Sequence, residues 1–143
     1  PVIGFAGDGA FGISMSEMSS CARKEWPNIT MVIFRNYQWG AEKRNSILWF
    51  DDNFVGTELD PELSYAKVAN ACGLKGVVVK TMKETTKSIK QSCEDQKKDI
   101  STFIEIILNQ ELGEPFRRDA MKKPVRVAGI NKGDMKPQKV LIK

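Results

Sequence analysis

Histidine is absent from this 143-residue chain. That excludes a histidine-based catalytic triad, an imidazole-held metal and an imidazole proton shuttle within it. Any proton transfer then uses another group or another chain. Cysteine is scarce. Cys21, Cys72 and Cys93 are far apart, form no C-x-x-C pair and leave one over. Neither a disulfide framework nor a zinc site is encoded, and a reducing compartment is the expected setting. No apolar run approaches the roughly 18 residues of a membrane span, and no leader segment is visible, so a cytoplasmic protein without membrane association is expected. Internal repeats and low-complexity tracts are missing as well.

A net charge of +4 raises the question of nucleic acid, but the charge is unevenly placed. Residues 117–143 hold nine of the 22 basic side chains and two of the 18 acidic ones, which leaves residues 1–116 net acidic. Basic clusters interleaved with aromatics, as nucleic-acid grooves use, do not occur in that tail, so no nucleic-acid partner is expected. With 41% hydrophobic side chains the chain has the means to bury one core. It starts at Pro1 and runs straight into an apolar segment, which reads as the C-terminal piece of something larger.

Val2–Ala6 and Thr30–Phe34 are continuous apolar runs of the kind found in parallel strands covered on both faces. Between them Met15, Met18 and Ala22, with Cys21 beside them, give a helix one apolar face, and Trp26-Pro27 ends it. From Tyr37 to Leu59 no period emerges. Trp39, Trp49, Phe50 and Phe54 make this an aromatic-rich loop whose side chains gain by burial. Asp60-Pro61 predicts an N-cap and first helical residue, followed by an apolar stripe of Tyr65, Val68, Ala69 and Cys72 and a stop at Gly73. Lys75–Lys80 predicts a third strand. Thr81-Met82-Lys83-Glu84 predicts a capping box, opening a helix with Met82, Thr86, Ile89 and Cys93 inward. Thr102–Leu108 predicts a fourth strand. Alternation of this kind implies an α/β fold, a doubly wound, mostly parallel sheet with helices on both faces. Residues 1–112 form the domain, and residues 113–143, with Pro115, Pro124 and Pro137, an extended basic tail.

The most informative stretch runs from Gly7 to Asn36. Gly7-Asp8-Gly9 closes the first strand and Asn36 follows the second, with 25 residues, Ala10 to Phe34, in between. One strand–helix–strand unit of that length returns the second strand beside the first. The turn also satisfies G-x-G-x-x-G (Gly7, Gly9, Gly12), which raises a dinucleotide-sensing module as an alternative. That fingerprint expects an acid at the end of the second strand, where this chain has Arg35-Asn36. A carboxylate facing a diphosphate would repel it unless a divalent cation stands between them. Asp8, Asn36 and a backbone carbonyl just beyond Asn36 form an all-oxygen set suited to Mg²⁺, with diphosphate oxygens as further ligands. Arg35, Lys43 and Arg44 are candidate contacts for a substrate anion. Cys21, on the apolar helix face, reads as core filler.

Gly7-Asp8-Gly9 followed by Asn36 resembles the thiamin-diphosphate signature of decarboxylases, acetolactate synthases and their relatives. Arg35 stands where many members have a first Asn. Residues Asn36–Asn45, Phe54–Leu59 and Lys122–Ile130 are similar to the sulfoacetaldehyde acetyltransferases within that superfamily. The resemblance implies a thiamin-diphosphate- and Mg²⁺-dependent cleavage of sulfoacetaldehyde by phosphate, giving sulfite and acetyl phosphate. An acetolactate-synthase-like enzyme condensing pyruvate is the alternative. It assigns Asp8, Asn36 and the Gln38 backbone carbonyl to the metal, and the Gly9 and Ala10 amides to the diphosphate. It places the catalytic glutamate in an N-terminal domain, usually of a partner subunit. A homodimer or homotetramer is therefore implied, and no catalytic acid or base within this piece.

Overall fold

The computed structural model describes residues 1–50, 53 and 55–110. Residues 113–143, the boundary of the expected tail and Phe54 lie outside the described residues, as does the side chain of Trp49. The chain divides into two compact units, one of Pro1–Trp39 with Glu58–Glu111, the other of Gly40–Thr57 with Leu112–Lys143.

The first unit is built on a four-stranded sheet in the order β1-β2-β4-β3, comprising β1 (Ile3–Gly7), β2 (Thr30–Arg35), β3 (Lys75–Val79) and β4 (Thr102–Ile107). All three pairings are parallel. In the register Gly7 lies opposite Phe34, and Ile33 opposite Glu105. Chain connection therefore brings the Gly7 turn and the end of β2 to the same carboxyl edge of the sheet, where open α/β sheets take their ligands.

Alternating side chains of the central strands feed two cores. On one face Ile33 and Phe103 pack with Phe11, Met18, Tyr65, Ala69 and Leu74. These come from α1 (Asp8–Ile13), α2 (Met18–Cys21) and α4 (Tyr65–Ala71) together with the turn after α4. On the other face Val32, Val79, Ile104 and Ile106 pack with Ile89 of α5 (Met82–Gln96). Helices thus cover both faces, as the alternation predicts. Beyond α5's reach the ends of β1 and β2 are bare. Phe5 is 61% and Phe34 41% exposed, and their rings stack at 6.1 Å.

Four elements differ from the sequence reading. The helix after β1 is three short pieces, α1, a 3-10 turn at Met15–Glu17 and α2. Gly12, Ser14, Ser16, Ser19 and Ser20 are poor helix formers, and Ser14 leaves the helical region (φ −111°, ψ 18°). The expected apolar face survives the breaks: Met18 is buried, with Met15, Cys21 and Ala22 against it. Gly40–Trp49, expected to lie in an irregular loop, is the helix α3. Its apolar residues fall at its two ends rather than at helical period, so no stripe announces it. α4 begins at Tyr65, not at Asp60-Pro61. Ser64 is the cap, its Oγ accepting from Lys67 N. The Asp60 carbonyl accepts from Arg35 Nη2 at 3.0 Å, and Asp60 Oδ1 accepts from Glu62 N, a local turn in place of a helix start. α5 opens on the expected capping box of Thr81 and Glu84, but its inward face is Thr85, Ser92 and Asp95 with Ile89. Met82 is 80% exposed and Thr86 faces solvent. The valines and isoleucines of the sheet already fill that side, so small and polar residues make the close approach. Gln96 Nε2 then ties the helix end to the Val2 carbonyl and Thr30 Oγ1.

α4 meets the sheet across a glycine. A Cβ at Gly76 would stand 2.0 Å from the Ala66 carbonyl oxygen. Asn70 brackets the same residue with its carboxamide, Oδ1 accepting from Gly76 N at 2.9 Å and Nδ2 donating to Gly76 O at 3.4 Å.

Lys75 Nζ pairs with Asp95 at 2.5 Å, and this hydrogen bond is the main cause that holds the Asp95 carboxyl below the usual carboxylate range. A folded-state value below the unfolded one contributes stability above the unfolded pKa of about 3.9, lost as pH falls through the folded value. Lys75 is half-exposed, so Asp95→Asn is expected to cost at most about 1 kcal/mol at pH 7. The variant and the parent should converge only once pH falls below the lowered folded-state value, as urea unfolding across pH would show.

Candidate functional site

The structure brings Asp8 and the residues around Asn36 together. Asp8 is 2% exposed and forms no ion pair among the described residues. Its Oδ2 accepts from Tyr37 N at 2.8 Å and its Oδ1 from Gly9 N at 2.9 Å. The Asn36–Tyr37 peptide therefore lies directly against the carboxylate, as strand register requires once Gly7 and Phe34 are opposite. Asn36 is half-buried beside it.

The Asn36–Gln38 segment is strained and multiply tied. Tyr37 sits at φ +60°, a left-handed conformation that an aromatic residue keeps only when its surroundings over-determine it. Its carbonyl accepts from Leu59 N at 2.8 Å and from Gln110 Nε2 at 3.3 Å. Gln38 forms an antiparallel bridge with Glu58. Since the ladder bond runs from Leu59 N to the Tyr37 carbonyl, Gln38 is a non-hydrogen-bonded partner and its own carbonyl turns away from Glu58. The buried Gln38 side chain donates from Nε2 to the Gln110 carbonyl at 3.0 Å, and its Oε1 has no partner.

The glycines divide by role. At Gly9 a Cβ would press on the Trp39 indole at 3.1 Å, so Trp39 packs over the turn. At Gly7 a Cβ would meet nothing within 4 Å, and the backbone there is ordinary extended chain (φ −79°, ψ 157°). Neither conformation nor packing asks for glycine at position 7. α1 starts at Asp8, so the Gly9 and Ala10 amides belong to its first turn, where helix geometry leaves N–H groups without helical partners; the Gly9 amide is here engaged by Asp8 Oδ1.

Arg35, a candidate anion contact by sequence, is buried and engaged by protein groups. It is 3% exposed. Nη1 bonds Glu105 Oε1, Nη2 donates to the Asp60 carbonyl, and the guanidinium lies 4.5 Å from the Tyr37 ring centroid and 5.1 Å from that of Tyr65. Lys43 and Arg44, half-buried, belong to α3 in the second unit. Cys21 is held in its thiol form by burial first and by the charge of Glu17 second, which fits packing rather than nucleophilic work.

Three residues at the site escape sequence reading. Tyr65 donates its hydroxyl toward the Asp8 carbonyl at 3.4 Å. Burial chiefly, then the charge of Asp8, pushes its pKa up, Arg35 partly opposing this, so it keeps the proton it donates. Gln110 ties the loop from below. Glu105 is the one with a visible trace: a lone acid inside the apolar strand Thr102–Ile107 demands a buried cation, and Arg35 ends the neighbouring strand.

The donor set is chemically coherent. A buried carboxylate without a cation is costly, and the peptide that reaches Asp8 belongs to Asn36 and Tyr37, so the chain offers a carboxylate, a carboxamide and backbone carbonyls on neighbouring segments, all hard oxygen donors of the kind Mg²⁺ takes. No group of three or more His, Cys, Asp or Glu that could hold a metal by themselves occurs among the described residues, so exogenous oxygens are needed to complete such a shell. Diphosphate oxygens are of the kind that could complete it. No helix among the described residues is long and apolar enough to cross a membrane.

Comparison with known proteins agrees with this geometry. The chain is 70% identical over 139 residues to a probable sulfoacetaldehyde acetyltransferase of Rhizobium meliloti (strain 1021), covering 97% of this chain and 24% of that protein. It is 66% identical to the sulfoacetaldehyde acetyltransferase of Roseovarius nubinhibens (strain ATCC BAA-591 / DSM 15170 / ISM), covering 98% of this chain and 23% of that one. It thus spans about a quarter of the length of these relatives. Benzoylformate decarboxylase from Polynucleobacter necessarius superposes with a TM-score of 0.68 at 25% identity, covering 79% of this chain and 20% of the decarboxylase. Residues 1–106 match the family described as thiamine pyrophosphate enzyme, C-terminal TPP binding domain; with the turn, the strand order and the relatives in agreement, the chain belongs to the thiamine pyrophosphate enzymes and carries their C-terminal TPP-binding domain.

Proposed function

We propose that this chain is the cofactor-holding portion of a thiamin-diphosphate- and Mg²⁺-dependent acyltransferase that converts sulfoacetaldehyde and phosphate to acetyl phosphate and sulfite. The observation that carries the site is the buried Asp8 carboxylate set against the Asn36–Tyr37 peptide at 2.8 Å. The substrate rests on the acetyltransferases to which the chain is 70% and 66% identical. Asp8 and Asn36 hold the metal through their side chains and Gln38 through its backbone carbonyl. The Gly9 and Ala10 amides take the diphosphate, and Gly7 leaves it room. Bound thiamin diphosphate supplies a nucleophilic thiazolium carbon, and the tasks of these residues are binding, orientation and charge neutralisation. Lys43 and Arg44 remain candidates for the sulfonate or phosphate. Catalytic acid–base groups come from the remainder of a longer protein, working as a homodimer or homotetramer in the cytoplasm.

The test is sulfite release by the full-length protein from sulfoacetaldehyde and phosphate, with thiamin diphosphate and with Mg²⁺ present or chelated. Sulfite that needs both is the expected result. Carbon dioxide from pyruvate without sulfite would move the enzyme to the acetolactate-synthase side. Metal-independent nucleotide binding without turnover would support the sensing module instead.

A further inference from the structure

The Arg35–Glu105 pair stands behind the metal turn, and the assignment above gives it no task. Both side chains are buried, 4% and 1% exposed. Glu105 is fully engaged: Oε1 with Arg35, Oε2 with Ser64 Oγ at 2.8 Å and Ala66 N at 2.9 Å. Arg35 is engaged on its edges by Glu105 and the Asp60 carbonyl, and on its faces by Tyr37 and Tyr65. From those two rings, contacts converge on one residue. Tyr37 donates its N–H to Asp8 Oδ2, and Tyr65 points its hydroxyl at the Asp8 carbonyl. The strained φ of Tyr37 lies within the three-residue stretch that carries both Asn36 and Gln38.

We propose that Arg35 is a positioning residue: stacked between Tyr37 and Tyr65 and anchored by Glu105, it holds Tyr37 in its left-handed turn, and so sets the affinity of the site for its metal. This rests on the Asp8–Asn36–Gln38 assignment given above. It explains why an arginine occupies the position directly before Asn36. A guanidinium offers a planar face to each ring and donors at its rim for a carboxylate and a carbonyl at once. A lysine ammonium keeps the charge beside Glu105 but offers neither the plane nor the second fixed donor. Removing the charge altogether would leave Glu105 buried and unpaired, a folding defect that says nothing of metal. Lysine is therefore the informative replacement.

The experiment titrates the full-length protein with Mg²⁺ at fixed thiamin diphosphate, without substrate, following Trp fluorescence. The substrate KM at saturating Mg²⁺ is measured alongside. Arg35→Lys is expected to raise the half-saturating Mg²⁺ concentration about tenfold, the scale of a desolvated cation–π contact, and to leave KM within about twofold, since the guanidinium is buried and taken up by protein groups. Tyr37→Leu, at a half-buried position, should act alike, while Tyr37→Phe, which keeps the ring, should titrate as the parent does. A raised KM with an unmoved Mg²⁺ midpoint would make Arg35 an anion contact and overturn the proposal. So would a lowered melting temperature with an unmoved midpoint, which would leave the pair a core element only. Should the parent protein show no Mg²⁺ dependence, or Asp8→Ala bind cofactor normally, the metal site itself fails and this inference with it. A normal parent titration with an unmoved Arg35→Lys midpoint overturns the positioning role alone.

Discussion

Asp8→Ala in the full-length protein is expected to weaken Mg²⁺-dependent thiamin-diphosphate binding by more than about a hundredfold, since outer partners of metal ligands alone cost 10- to 100-fold. The fold should survive. Asp8 contributes a buried charge with no ion pair among the described residues, and two hydrogen bonds from backbone amides. Removing the charge relieves a desolvation cost, while leaving the Tyr37 N–H without its acceptor costs about 1–3 kcal/mol. The two oppose each other, so melting temperature without metal should move little, whereas the rise produced by Mg²⁺ and cofactor should vanish. Gly7→Ala isolates the other half of the site. Its added methyl enters open space at an ordinary φ, so stability is unchanged within about 0.5 kcal/mol while cofactor binding falls. Calorimetric titration of both variants decides the matter; undiminished metal-dependent binding in Asp8→Ala would sink the site assignment.

Gly76→Ala should be the most damaging single methyl in the first unit. The new Cβ would stand 2.0 Å from the Ala66 carbonyl oxygen and 2.8 Å from its carbon. Backbone cannot yield there as a flexible side chain would. Ala66 N is tied to Glu105 Oε2, and Asn70 brackets Gly76 at its N–H and its carbonyl. Moving α4 away from β3 therefore breaks the Asn70 clasp and disturbs the buried Glu105 as well. Overpacking of this kind costs roughly 1–3 kcal/mol where neighbours can shift, and more where they cannot. A loss of at least about 3 kcal/mol is expected, read as a lowered urea midpoint, with weakened Mg²⁺ retention because Arg35 loses its anchor. A midpoint within error of the parent would show that α4 is not seated as described.

Local chemistry was the legible part. The capping box at Thr81 and Glu84 is written within four residues and forms as expected; the four strands follow from their apolar runs, although β1, expected to be covered on both faces, lies at the margin with Phe5 exposed, and the meeting of Asp8 with the Asn36–Tyr37 peptide follows from chain spacing. What failed depended on contacts between distant segments. Asp60-Pro61 and Ser64 are equally credible caps in one dimension; the difference is that Arg35 claims the Asp60 carbonyl and Glu105 the Ser64 hydroxyl. Met82 looked inward by period, but the sheet beneath α5 admits Thr85 and Ser92 instead. Arg35 read as a free cation beside a ligand, because its partner lies 70 residues away on a strand that inserts between β2 and β3. α3 offers no stripe to read.

The bare pair of Phe5 and Phe34 bears on how the chain behaves in a tube. Among the described residues β1 is a margin of the sheet, so its outer N–H and C=O groups are unpaired beside a stacked aromatic surface. A flat strand edge with apolar company is a template for any other chain that can lie along it. Copies of this segment at high concentration would therefore have an edge along which to pair. A turbid or inert preparation of this segment would then report colloidal behaviour, while the chemistry of Asp8 and its neighbours went unexamined.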